Sequence, residues 1–169
     1  MISISLRPRS PRFALLVAAA AAAFGVQQTG ARAASPFEKF TGEWRGGGQI
    51  LESNGRREPI RCRAEYSEAK DGAALNQAIV CASESFKLDI KTYVEASAGL
   101  VQGYWTDATR DVSGHLTGRI EEGRFEGEIS AAAFGAYILL TSNGRRQAVS
   151  IKPRSGDVSD VRIDLKREG

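Results

Sequence analysis

Short segments that alternate apolar and polar residues, separated by turn signals, run through most of this chain and constrain its fold more than any other feature. In residues 85–94, Phe86, Leu88 and Ile90 alternate with charged residues. Asn54-Gly55 and Asn143-Gly144 each follow a serine and are typical of hairpins, because a type I′ turn needs positive φ at its central residues. A period of two indicates strands with one buried face.

The pattern predicts an all-β protein, an antiparallel meander β-barrel of about 8–10 strands. The segments are 42–51, 59–67, 75–82, 85–94, 100–106, 112–120, 124–130, 137–141, 146–152 and 158–166. Their connections are too short for the crossovers of a parallel sheet, and closure removes exposed edges. Residues 131–134 fit either a helical turn or an extension of the next strand. The apolar faces include Ala64, Gly114 and Gly118, which suit a crowded interior better than a lipid-facing wall.

The first 33 residues have the pattern of a signal peptide. Arg7, Arg9 and Arg12 precede an apolar run over 13–26, and Ala31-Arg32-Ala33 matches a small-x-small cleavage site. The run is shorter than the roughly 20 residues of a spanning helix. We therefore expect cleavage after Ala33, a periplasmic or secreted location, no membrane span in the mature form, and one barrel domain over 34–169.

Removing this leader changes the charge balance. It contains four of the 23 basic residues and none of the 20 acidic ones, so 19 basic and 20 acidic residues remain, a net charge of −1. Nucleic-acid-binding domains are usually basic, with clustered Lys and Arg. The mature chain therefore predicts no nucleic-acid partner.

Cys62 and Cys81 are the two cysteines of the chain. If Asp71-Gly72 turns the chain between their strands, the numbers of directly opposed residues add up to 143, and the two cysteines satisfy this register. Opposed residues of an antiparallel pair lie within disulfide reach, and an exported protein meets oxidising conditions. We expect a structural disulfide between them.

No residue pattern typical of an enzyme is evident. His115, the single histidine, falls on the polar face of its segment, and a metal site would need several converging ligands. The chain lacks a Gly-x-Ser-x-Gly elbow, a phosphate loop and a dinucleotide fingerprint. The sequence thus predicts no catalytic residues, no metal and no cofactor.

Phe40-x-Gly42-x-Trp44 follows a candidate helical turn at 35–39 and precedes the strand series. It resembles the opening of lipocalins and intracellular fatty-acid-binding proteins, which belong to the calycin-like barrels. The resemblance implies that Trp44, behind Gly42, plugs the closed end of the barrel. It also implies that an arginine of the last strand, Arg162 or Arg167, packs over this indole.

The same resemblance implies a small hydrophobic ligand in the barrel mouth, with Tyr66, Gln77 and Trp105 as candidate lining residues. The phase of the strand with Trp105 stays open, since either Gly103 and Trp105 or Gln102 and Tyr104 could face inward. Three other functions remain. They are a protein-binding module such as a barrel-type protease inhibitor, a structural envelope protein without enzymatic activity, and a barrel-cyclase-like enzyme. The sequence leaves open which protein, if any, is a partner.

Overall fold

The computed structural model describes residues 34–169, which form a closed barrel of ten antiparallel strands. The strands are β1 Gly42–Glu52, β2 Arg57–Ala69, β3 Ala74–Ala82, β4 Lys87–Ser97, β5 Leu100–Asp107, β6 Val112–Glu121, β7 Arg124–Ala131, β8 Phe134–Ser142, β9 Arg146–Pro153 and β10 Val158–Arg167. Each strand pairs with its neighbour in the chain, and β1 pairs with β10. The predicted all-β meander barrel is therefore confirmed, whereas the predicted leader lies outside the described residues.

Two segments for which the sequence suggested a helical turn, 131–134 and 35–39, contain turns in the structure. Residues 132–133 form a turn between β7 and β8, without a helix. The candidate helical turn near Ser35 is a series of hydrogen-bonded turns over 36–40, in which the Phe40 N–H donates to the Phe37 carbonyl at 2.8 Å. Only one short 3-10 helix, Lys70–Gly72, occurs in residues 34–169.

The barrel has two unlike ends. The hairpins that follow β2, β4, β6 and β8 lie at the end that residues 34–41 cover, here called the closed end. The Ser35 hydroxyl donates to the Gly72 carbonyl at 2.9 Å, and the Ser142 hydroxyl donates to the Lys39 carbonyl. The hairpins that follow β1, β3, β5, β7 and β9 surround the opposite end, called the open end. Residues 34–41, here called the covering segment, are thus hydrogen-bonded to the β2–β3 connection and to the end of β8.

Trp44 fills the closed end. Its side chain has no exposed surface, and its Nε1–H donates to the Phe40 carbonyl at 2.8 Å. Gln147 Nε2 donates to the same carbonyl at 3.3 Å. Phe37 and Phe40 are 2% and 1% exposed and complete the packing. The indole therefore has both its apolar surface and its polar atom satisfied, as a buried tryptophan requires.

Arg167, and not Arg162, packs over this indole. The guanidinium carbon of Arg167 lies 5.3 Å from the centre of the Trp44 ring, and its Nη2 donates to the Thr41 carbonyl. Arg162 lies on the outer face and donates to Asp160 at 2.8 Å. The reason is parity, because Arg167 continues the inward alternation of Ile163 and Leu165 whereas Arg162 has the opposite phase.

Glycine allows the first strand to bend where the barrel closes. Gly48 of β1 is paired with Ile163 of β10. A Cβ on Gly48 would lie 1.7 Å from the Arg162 carbonyl oxygen, and one on Gly46 would lie 1.9 Å from that of Asp164. No side chain fits at such distances, so the closure of the sheet depends on these two glycines.

The disulfide between Cys62 and Cys81 is present, with a Cα separation of 4.1 Å. The register is the predicted one, with Cys62 opposite Cys81 and Tyr66 opposite Gln77. The turn is longer than the two residues assumed, because the last pair is Ala69 with Ala74. The longer turn leaves the register unchanged, so both cysteine side chains lie on the inner face of the barrel.

Replacing Arg167 with Met should lower the free energy of unfolding by about 1 kcal/mol, because the cation–π contact with Trp44 is lost while the apolar stem remains. Arg162→Met is the matched control on the same strand, and its exposed ion pair should contribute less than about 0.5 kcal/mol. Urea unfolding of both variants measures the difference. Equal losses would contradict the stacking role of Arg167.

Replacing both cysteines, as Cys62→Ala with Cys81→Ala, should lower the free energy of unfolding by about 3 kcal/mol, the chain-entropy value for a loop of this size. The two residues are 19 positions apart. Unfolding under oxidising conditions tests the double variant, and reduced wild-type protein is the control. An unchanged midpoint in both samples would contradict a stabilising bridge.

Candidate functional site at the open end of the barrel

The interior of the barrel is tightly packed at the closed end, whereas part of its wall is only partly buried towards the open end, where Ile50 and Ile60 of β1 and β2 stay buried. Trp44, Leu75 and Leu165, near the closed end, are at most 3% exposed. Towards the open end, apolar side chains that line the interior or its mouth are only partly buried: Ile79, Phe86, Leu88, Ile90, Val112, Ile129, Val158 and Val161. An interior wall that is aliphatic and still exposed is a candidate surface for an apolar ligand.

The three predicted lining residues lie in one row across the inner face. Tyr66 is opposite Gln77, Gln77 is opposite Thr92, and Thr92 is opposite Trp105. The row continues from Trp105 to Gly114 of β6. Sequence reasoning missed Thr92, although its parity with Ile90 and Val94 indicated an inward position. Whether these residues contact a ligand stays a prediction.

Strand β5 places Trp105, and not Tyr104, on the inner face of the barrel. Trp105 is 6% exposed and faces inward, whereas Tyr104 is 55% exposed on the outer wall. Tyr104 stacks there on Tyr93 of β4, with ring centroids 5.5 Å apart. Val101, also inward, is 3% exposed and fits the same phase. Strand β5 therefore places one large aromatic side chain on the inner face of the barrel.

Tyr66 is the most deeply enclosed polar member of this row. It is 3% exposed, and burial raises the pKa of its phenol above the usual value. The side chain is therefore a neutral phenol at physiological pH. It supplies an uncharged hydroxyl beside Gln77, so this part of the row is polar without being ionised.

Trp105 reaches the rim of the open end, where it meets Phe134. The two rings are edge-to-face, with centroids 6.2 Å apart and planes at 76°. Phe134 is the first residue of β8 and is 36% exposed. The Nε1 atom of Trp105 is buried and has no hydrogen-bond partner within residues 34–169. A Cβ on Gly114 would lie 2.9 Å from this nitrogen, so glycine there leaves room for the indole.

A notch in the barrel wall lies beside this indole. The pairing of β6 with β7 ends at His115 and Ser130, while β6 continues alongside β5 as far as Val112. The resulting cavity has a volume of about 490 Å³. Its lining combines the inward Trp105 and Gly114 with outward side chains: Tyr104, Thr106, Ser113, His115 and Ser130. The cavity therefore lies where the β6–β7 pairing has ended, next to Trp105.

Two buried carboxylates at the open end hold loops in place. Glu58 accepts a hydrogen bond from the Ser85 N–H at 2.7 Å and lies 3.0 Å from Arg56. Hydrogen bonds from the Ser83 hydroxyl and then the Ser85 N–H lower the pKa of Glu58. Because this carboxylate is already engaged with protein donors, it acts as an anchor for the β3–β4 loop.

Asp107 has the same role at the β5–β6 turn. It is 4% exposed and accepts hydrogen bonds from the Thr109 N–H and the Arg110 guanidinium, both at 2.9 Å, and from the Asp89 N–H at 3.3 Å. Burial alone would raise the pKa of Asp107, but these hydrogen bonds outweigh it and the pKa is lowered. At neutral pH Asp107 is therefore ionised, and both its carboxylate oxygens accept hydrogen bonds from protein donors.

The side chains of residues 34–169 that could bind a metal ion do not form a cluster. His115 is exposed on the outer wall. In residues 34–169 no group of three or more His, Cys, Asp or Glu side chains is arranged to hold a metal ion. Within the same residues no helix has the length and apolar character needed to cross a bilayer.

Asp107→Asn should lower the free energy of unfolding at pH 7 by about 1–3 kcal/mol, the usual cost of disrupting a buried hydrogen-bonded group. The folded pKa of Asp107 is below that of the unfolded chain, about 3.9. Its stabilisation is therefore complete above that pH and is lost as the pH falls through the folded value. The difference between wild type and variant should shrink as the pH falls below about 4.

Urea unfolding at pH 7 and at low pH measures this effect. Asp111→Asn is the matched control, because Asp111 is exposed at the same turn and its φ of +53° suits Asn. That variant should change the free energy of unfolding by less than about 0.5 kcal/mol. A pH-independent loss for Asp107→Asn would contradict the role of the ionised carboxylate.

Comparison with solved structures shows what this barrel is similar to. The crystal structure of Rv2717c from M. tuberculosis superposes with a TM-score of 0.64 at 12% sequence identity, covering 80% of this chain and 99% of that chain. The S-type phycobiliprotein lyase CPES from Guillardia theta gives a TM-score of 0.49 at 14% identity, covering 79% and 90%. No protein-family model and no curated protein matches the chain. At 12% identity the first likeness shows a shared fold alone.

Proposed function

We propose that the barrel binds a small apolar molecule at its open end. The observation that carries the proposal is the contrast within one interior, where Trp44, Leu75 and Leu165 at the closed end are at most 3% exposed and several aliphatic residues towards the open end are partly exposed. Each ~40 Å² of this surface that a ligand covers would contribute about 1 kcal/mol. Larger side chains of the protein itself could cover this surface and gain the same energy. Its partial exposure therefore favours a role in binding a ligand.

The ligand is uncharged in the part that enters the barrel. Glu58 and Asp107, the buried carboxylates of the rim, are engaged with protein donors. A charge placed among the aliphatic side chains below them would lose its hydration without gaining a partner. The row of Tyr66, Gln77 and Thr92 offers neutral polar groups instead.

The proposed place of binding is outside the cytoplasm. The predicted leader directs the chain to the periplasm or the medium. The disulfide between Cys62 and Cys81 agrees with an oxidising compartment. An apolar molecule crossing such an aqueous space needs a carrier, and an open-ended barrel serves that purpose without any chemical step.

Ile90→Trp should weaken binding of the neutral dye N-phenyl-1-naphthylamine at least tenfold, because the larger ring fills the partly open space beside Ile79. Leu100→Trp is the matched control, since Leu100 is 53% exposed near the closed end. It should leave the affinity unchanged. Dye fluorescence measures both affinities, and native mass spectrometry of the purified protein tests for a co-purified adduct.

The proposal fails if the wild-type protein binds neither this dye nor any of a panel of fatty acids and apolar dyes. It also fails if Ile90→Trp, shown to be folded by its circular dichroism, binds the dye as tightly as Leu100→Trp does. Either result would leave the open end without a ligand-binding role.

A further inference from the structure

We infer that the ligand carries a neutral hydrogen-bond acceptor, such as a carbonyl oxygen, that accepts the Nε1–H of Trp105. This inference rests on the proposed function and specifies the class of molecule that the open end selects. It adds one directional contact to an otherwise aliphatic site. The ligand is then a ketone, aldehyde, ester or similar compound, and a plain hydrocarbon binds less well.

The unsatisfied indole is the first observation. Trp105 is 6% exposed, and its Nε1 has no acceptor among the described residues. Trp44 provides an internal comparison, because its Nε1–H donates to the Phe40 carbonyl at 2.8 Å. Buried indole N–H groups usually find a partner, and leaving one unsatisfied costs free energy. A bound acceptor would remove that cost.

The position of the nitrogen is the second observation. Nε1 lies over the inner face of Gly114, since a Cβ there would be 2.9 Å away. Trp105 and Gly114 both line the cavity of about 490 Å³ in the wall. The donor is therefore at the boundary between the barrel interior and this cavity, and not inside the packed closed end.

Phe134 lies against the ring that carries this donor. Its ring is edge-to-face with Trp105 at the rim and is 36% exposed, so it has room to turn towards solvent. In the proposed complex Phe134 turns aside, and the apolar body of the ligand takes the place of the phenyl ring against the indole.

The neighbouring charges favour a neutral acceptor over a carboxylate. Asp107 follows Trp105 by two residues on the same strand and faces the same side. Its carboxylate is paired with Arg110 at 2.9 Å, so that guanidinium is already engaged. A ligand carboxylate at Nε1 would have a single neutral donor to offset its desolvation.

Two probes of the same shape test the inference on the full mature chain. 2-Acetylnaphthalene has a carbonyl oxygen where 2-isopropenylnaphthalene has a methylene group. The acetyl probe should bind about tenfold more tightly to the wild-type protein, the effect of one neutral hydrogen bond in a buried site. In Trp105→Phe, which keeps an aromatic ring but loses the donor, the affinity ratio should fall to about one.

Nitrogen-15 NMR of the wild-type protein gives a readout that needs no variant. The indole N–H resonance of Trp105 should move downfield with the acetyl probe and stay nearly unchanged with the isopropenyl probe. The indole resonance of Trp44, already hydrogen-bonded, should not respond to either.

The outcomes separate this inference from the proposed function. If both probes bind equally and the Trp105 resonance stays still, the inference is overturned while apolar binding stands. Persistence of a tenfold preference in Trp105→Phe would also overturn it. If neither probe binds at millimolar concentration, the proposed function fails as well.

Discussion

The enclosure of one indole, that of Trp44, is the constraint on which the rest of this barrel depends. Phe40 accepts its N–H, Arg167 covers its face, and Gln147 donates to the same backbone carbonyl. These contacts join the covering segment, β1, β9 and β10 at one point. The closed end is filled in this way, whereas several aliphatic side chains towards the other end stay partly exposed.

Much of the fold was predictable because it depends on local patterns. Alternation placed all ten strands within a few residues of their bounds, and the parity shared by Cys62 and Cys81 gave the correct register and the disulfide. The choice between Arg162 and Arg167 could have been made in the same way, since Ile163 and Leu165 set the phase of β10. The predicted leader over residues 1–33 lies outside the described residues and stays a prediction.

The candidate site was predictable in part. Tyr66 and Gln77 follow from the register that also pairs the cysteines, and the structure places both on the inner face. The phase of Trp105 could not be derived, because Gly103 and Gln102 gave no clear apolar face and the turn near Asp107 set no parity. The wall notch was also beyond sequence reasoning. It depends on the relative lengths of β6 and β7 and on the pairing of strands across the barrel.

The pairing of β1 with β10 has a consequence for the order in which the barrel folds. In the part of the chain that the structure describes, every other strand pair joins neighbours in sequence. The β1–β10 seam brings together residues as distant as Arg45 and Glu168, 123 positions apart. Closing so long a loop is entropically costly, and the seam glycines add little apolar burial in return. We therefore expect the amides of β1 that donate to β10 to gain hydrogen-exchange protection last, so that the barrel closes in the final folding event.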